Sequence, residues 1–283
     1  MNNFFIGFVL LLVLCIPGCT ETPGEDLALS ERAPAERSAK AGELATPNVQ
    51  HAAPNTTTSA TDEGSGVSGT STSEENSAER DVSFEASPIS DVQKNFDAGI
   101  AAFQANNLPL AFQEFQTAAK NGHADSQFNL GLMYEQGIGT AKNESQAVAW
   151  YRESAIQGNS AAQFNLGVLY ENGRGTKVDF AEANKWYRSA SVQGDALAIG
   201  NLGMLYIRGD GVAENKVAGV ALLMMSATMD RSPENLARRN ISSTRGLTGE
   251  MIASAQTLSA ELSTAENMLV SLDQFLEQFG SKQ

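Results

Sequence analysis

Residues Gln127 to Thr140 read QFNLGLMYEQGIGT; the pattern returns as QFNLGVLYENGRGT from Gln163 and, in worn form, as IGNLGMLYIRGDGV from Ile199. Asn129, Asn165 and Asn201 mark equivalent positions, so the units follow one another at 36 residues with no insertion between them. A fixed period of this size is the signature of a solenoid. Each unit is one supersecondary element that cannot bury its apolar face alone and stacks on its neighbours.

Within a unit the residues have separable jobs. Gly131, Gly167 and Gly203 carry no side chain at the point where a partner helix must come close, and Leu130, Tyr134 and Trp150 fill the space around that contact. A Gly-x-Gly loop follows (Gly137/Gly139, Gly173/Gly175, Gly209/Gly211), supplying backbone angles that other residues disfavour. A second helix carries Ala147, Trp150, Tyr151 and Ala155, then Ala183, Trp186, Tyr187 and Ala190, at helical spacing. Asp179 with Glu182, and Asn143 with Gln146, read as helix-start capping pairs, and Gly122, Gly158 and Gly194 as helix ends.

Outward from this core, residues 91–122 read as a first helix pair, with Phe96, Gly99 and Phe103 on one helix and Phe112, Phe115 and Ala119 on the next. Asn106-Asn107-Leu108-Pro109 makes the turn between them, and the loop is four residues shorter than in later units. Full repeats occupy 123–158 and 159–194, and a degenerate one 195–230, in which Leu222-Leu223 replaces the Trp-Tyr pair. In 231–283, Ser232-Pro233-Glu234 and Thr248 read as helix starts, and Ser263 with Glu266 as a capping box. A final apolar stripe, Met268, Leu269, Leu272, Phe275, Leu276 and Phe279, is read as a cap on the open end of the stack.

The register Ala-x-x-x-Leu-Gly-x-x-Tyr-x-x-Gly-x-Gly, followed by Ala-x-x-Trp-Tyr-x-x-Ala-Ala-x-x-Gly, resembles Sel1-like repeats, relatives of tetratricopeptide repeats with a longer glycine-bearing loop. The resemblance implies an all-α, right-handed α-solenoid of antiparallel helix pairs. It also implies that the first helices line a concave groove. The matching positions are Phe128, Asn129, Leu132 and Glu135; Phe164, Asn165, Val168 and Glu171; then Asn201 and Met204, with Gly200 and Ile207 completing the third set. The asparagine matches a family position that often bonds a bound peptide, and an Asn amide both donates and accepts. The competing reading is that each Asn bonds a neighbouring helix end.

The chain ahead of the repeats differs in kind. Phe4 to Ile16 is an apolar run too short for an ordinary spanning helix and is followed at once by Pro17 and Gly18, as in a secretory signal peptide. Ile16-Pro17-Gly18-Cys19 resembles a bacterial lipobox, so residues 1–19 are read as an export signal. Cys19 is then either lipidated as a membrane tether or incidental to an ordinary cleavage site. Residues 20–90 hold thirteen acidic against four basic side chains in a Ser, Thr, Ala and Glu-rich stretch. Such a composition buries too little apolar surface to fold. As a flexible coil of about 70 residues it would reach roughly 40 to 50 Å.

The net charge of −14, with no clustered Lys or Arg, argues against nucleic acid as a partner. No nucleophile–base pair, paired carboxylates or metal-ligand spacing stands out, and no cofactor is implied. His123, beyond His51 the remaining histidine, reads as a surface turn residue. The expected function is that of a non-enzymatic scaffold, exported to the periplasm or cell envelope, holding a protein or peptide segment in its groove. A cell-envelope enzyme or a peptidoglycan- or glycan-binding accessory protein is the alternative.

Overall fold

The computed structural model describes residues 88–280, which belong to one compact unit. The signal segment, Cys19 and nearly all of the linker lie outside the described residues. The helices, in four consecutive pairs, are α1 (Pro88–Gln104) and α2 (Leu108–Lys120), α3 (Ala124–Gln136) and α4 (Glu144–Ile156), α5 (Ser160–Asn172) and α6 (Phe180–Val192), and α7 (Ala196–Arg208) and α8 (Lys216–Met229). Three more follow: α9 (Ala237–Ser243), α10 (Gly249–Thr264) and α11 (Met268–Gly280). Among the described residues there is no strand, and each helix from α1 to α8 packs on the next in the chain, as an α-solenoid requires.

Helices of 13 residues are marginal in isolation, so packing and caps must hold them. At the N-termini, Asn143, Asn159, Asp179, Asp195 and Asn215 each accept the N–H three residues on. A cap of this kind contributes about 1 kcal/mol. The first helices end on Gly137, Gly173 and Gly209, all left-handed. Asn106 takes the left-handed turn before α2 and Asn107 caps it, which leaves Leu108 first and Pro109 second in the helix.

The close approach expected of the helix glycines is present. A Cβ on Gly131 would lie 2.7 Å from the Tyr151 ring, and one on Gly167 would lie 2.6 Å from the Tyr187 ring. Both tyrosines are fully buried. A side chain of that size contributes roughly 2–3 kcal/mol when taken out of water. The second loop glycine has a different task. A Cβ on Gly175 would lie 2.2 Å from the Glu144 carbonyl oxygen, so this loop sits directly on the start of the preceding repeat's second helix.

The C-terminal part departs from expectation in three ways. Ser232-Pro233-Glu234 forms a turn, and the helix begins only at Ala237. The Asn235 side chain donates to the Ser226 and Asp230 carbonyls while its Oδ1 receives the Ala237 N–H, so the local polar groups are satisfied without a helix there. The Ser263/Glu266 capping box is absent because α10 continues through Thr264, with both hydroxyls bonded back to the Ala260 carbonyl. Asn267 serves instead, accepting the Leu269 N–H. Finally, the end of the stack is met by α9, whose Ala237 and Ile241 pack with Met204, Ile207, Leu223 and Ala227. The hairpin of α10 and α11 lies along the second helices: α10 packs on α8, and α11 touches α6 and α8 with Met268 and Leu272 buried.

Candidate functional site

The ten groove candidates divide by burial. Phe128, Leu132, Phe164 and Val168 are interior apolar residues, and Asn129, Asn165 and Glu135 are equally buried. The expectation that these seven present side chains outward is therefore corrected: they pack inside the solenoid. Glu171, Asn201 and Met204 are partly exposed, so the accessible part of the row belongs to the second and third Sel1-type units.

The polar members of the row form a network that repeats. Tyr151 Oη donates to Glu135 Oε2 at 2.7 Å, and Tyr187 Oη donates to Glu171 Oε2 at 2.7 Å. The amides of Asn165 and Asn201 act on the Tyr151 and Tyr187 hydroxyls and favour their ionised forms. Burial first, and then the adjacent glutamate, push each tyrosine hydroxyl well above its ordinary value of 10, so both remain protonated donors. An arginine from the following repeat closes each network. Arg174 reaches Glu135 at 3.0 Å and Glu144 at 2.9 Å, and Arg208 reaches Glu171 at 2.6 Å and Asp210 at 2.8 Å. Against the cost of its burial, hydrogen bonds to Glu144 and the charge of Glu135 raise Arg174 above its ordinary value, and Lys142 first, then Arg174, holds Glu144 below its own.

The network stops where its partners change. In the third Sel1-type unit Ile207 and Leu223 replace the glutamate and tyrosine, and they pack in one apolar cluster with α9. In the first pair the same places hold Phe103 and Phe115. Phe115 is assigned by contact, since a Cβ on Gly99 would lie 2.6 Å from its ring. Carboxylate and hydroxyl are present together or absent together.

Other interlocks also recur at 36 residues. Gln157 donates to Gln127 at 2.6 Å and Gln193 to Gln163 at 2.8 Å, while Gln127 and Gln163 donate to the Ala119 and Ala155 carbonyls. Arg152 lies over the Tyr170 ring and bonds its hydroxyl, and Arg188 reaches the Tyr206 hydroxyl at 3.4 Å and Asp273 at 2.6 Å. The glutamines were legible as recurring letters. Arg174 and Arg208 were not, because they stand at different offsets within their units.

His123 is half-buried and no mere surface turn residue. Its Nδ1 caps α3 by accepting the Ser126 N–H at 3.2 Å, and its ring lies 4.5 Å from that of Phe96. Among the described residues no group of three or more His, Cys, Asp or Glu side chains is placed to hold a metal ion, and no helix is long and apolar enough to cross a membrane.

The arrangement is that of a helix-pair repeat scaffold whose buried polar groups tie one repeat to the next. Three successive Sel1 repeat matches cover residues 124–159, 160–195 and 196–230: this region of the chain is a run of Sel1 repeats. Among solved structures the chain is similar to a Sel1 repeat protein from Oxalobacter formigenes, with 29% identity over 62% of this chain and 76% of that one, at a TM-score of 0.50. It is also similar to c5321, a protective antigen present in uropathogenic Escherichia coli strains that displays an SLR fold. That likeness has 26% identity over 66% of this chain and 48% of that one, at a TM-score of 0.41, so this chain spans about half of that protein. No curated protein matches.

Proposed function

We propose that this protein is a non-enzymatic scaffold whose Sel1 stack holds a segment of a partner protein against the first helices of the second and third Sel1 repeats. The observation that carries this reading is the change in burial along the row. Asn165 and Val168 are closed in, whereas their counterparts Asn201 and Met204 are partly exposed beside Glu171. Elsewhere side chains such as Gln163, Arg174 and Arg208 bridge from one unit to the next, which supports a rigid frame around that accessible stretch. Rigid frames lower the ordering cost of binding a flexible segment. On the sequence side, the apolar run Phe4–Ile16 and Cys19 support export and a lipid tether, and the acidic stretch between them and α1 supports a spacer.

Site-specific photocrosslinking in cells tests the binding face. A crosslinker at Met204 is expected to trap a discrete partner, whereas one at Ile156, 67% exposed on a second helix, is not. Equal patterns from both positions, or none from Met204, would refute the assignment. Palmitate labelling that survives Cys19→Ala would refute the tether.

A further inference from the structure

His123 holds the position that Asn159 and Asp195 hold in the next two repeats: it is the N-cap of a first helix. It is also one of the contacts between the opening helix pair and the Sel1 stack. Its ring lies 4.5 Å from Phe96 of α1, while its Nδ1 accepts the Ser126 N–H at 3.2 Å and stands 3.0 Å from Ser126 Oγ. An amide or carboxylate oxygen can accept at this position across the ordinary pH range. An imidazole nitrogen accepts only while it carries no proton, which requires the neutral ring with hydrogen on Nε2.

The surroundings set how this group responds. Burial pushes the imidazole below its ordinary value of 6.5, and Asp125 and Asp97 pull it back without reversing the direction. From α1, Asp97 acts on the ring, and Asp91 lines the open cavity beside it. The end of α2 contributes Asn121 and Gly122, which do not titrate, and Lys120 is turned back onto Gln116 at 3.3 Å. From α3 comes Asp125, whose Oδ1 also accepts from Asn159 Nδ2 at 2.9 Å. Asp125 thus joins the His123 junction to the one after it.

We propose that His123 is an acid-sensitive joint between the α1–α2 pair and the Sel1 stack: protonation removes the cap of α3 and draws Asp125 from Asn159 toward the imidazolium. The capping nitrogen becomes a donor facing the Ser126 N–H, so the junction loses a bond and gains a clash of donors. Because neither Asn159 nor Asp195 is a base of this kind, the effect is confined to this boundary.

The test is amide exchange and histidine NMR on the full chain between pH 7.5 and 5. His51→Gln leaves a single imidazole to assign. His123 is expected to titrate below 6.5 from a neutral form protonated at Nε2. Protection of the Ser126 amide, corrected for intrinsic exchange and referenced to Gln146 under its Asn143 cap, is expected to fall about fivefold on acidification, the worth of one cap. In His123→Asn it should change by less than about twofold, as expected of an uncharged cap. Titration at or above 6.5, an unchanged Ser126 amide in the parent chain, or the same fall in His123→Asn would each overturn the proposal.

Discussion

The joint presence and joint loss of glutamate and tyrosine along the stack predicts strong coupling between Glu171 and Tyr187. Tyr187→Phe keeps the buried ring and removes only the 2.7 Å bond to the carboxylate. The Glu171 side chain is 10% exposed, so water cannot fully replace the lost donor. Hydrogen bonds to charged groups are worth about 1.5–3 kcal/mol, and that range is the expected loss. Glu171→Ile copies Ile207. It removes the carboxylate that accepts from the Tyr187 hydroxyl and releases Arg208, which at 40% exposed is readily solvated, for a cost of about 1–2 kcal/mol. The double variant resembles the apolar pairs of the flanking units and leaves neither group stranded. Its destabilisation should therefore fall short of the sum by about 1–2 kcal/mol.

Urea unfolding followed by circular dichroism measures all four corners of the cycle, provided the m-values agree. For a chain of this size each kcal/mol also moves the melting temperature by about 2–4 °C. Additivity within about 0.5 kcal/mol would refute the reasoning. It would mean that the contact is incidental and that Arg208 alone sustains Glu171.

Five further substitutions test single positions. Gly167→Ala should destabilise by about 1–3 kcal/mol, since its Cβ would lie 2.6 Å from the Tyr187 ring, whereas Gly158→Ala, with nothing within 4 Å, should cost only about 1 kcal/mol of left-handed backbone strain; thermal melts of the two decide. Burial raises the Asp195 carboxyl above its ordinary value, against two cap N–H bonds and with Asp230 adding to the rise. An acid raised on folding contributes stability that is complete below its unfolded value and is lost as pH rises through the folded one. Asp195→Asn, the cap chemistry of Asn159, should therefore stabilise by about 0.5–1 kcal/mol at pH 7, with the gain vanishing below about pH 4 in a melt series. Leu272→Ala should cost about 2–5 kcal/mol and expose α11 to proteolysis, while Arg188→Ala, which removes an ion pair to a half-exposed Asp273, should cost under about 1 kcal/mol.

Much of the fold was legible because it rests on local, periodic causes. The helix glycines, loop glycines and N-cap residues do within each repeat what their chemistry dictates, and the match of the Asn143 and Asp179 caps follows from that. The C-terminal helices were harder to read. Ser232-Pro233-Glu234 has the composition of a helix start, but Asn235 reaches back to Ser226 and Asp230, a contact between elements that no local pattern records. The placement of α10 and α11 along α8 and α6 likewise rests on long-range partners such as Arg188 and Asp273.

The polar row shows why a recurring residue is ambiguous on its face. Asn129, Asn165 and Asn201 recur because each repeat is built alike, and a frame residue and a ligand residue recur equally well. What separates the two is the company each residue keeps within the chain. Glu135 and Glu171 accompany Tyr151 and Tyr187 sixteen residues on, and the apolar pairs Phe103/Phe115 and Ile207/Leu223 take the same places where the polar pair is missing. Paired substitution of this kind marks contact, so the glutamates bonded to their tyrosines belong first to the frame. Under the proposed scaffold function, discrimination between ligands falls to positions that change freely from one repeat to the next. Leu132, Val168 and Met204 form such a series, and of these only Met204 is partly exposed, which places the variable and the accessible residue at the same end of the stack.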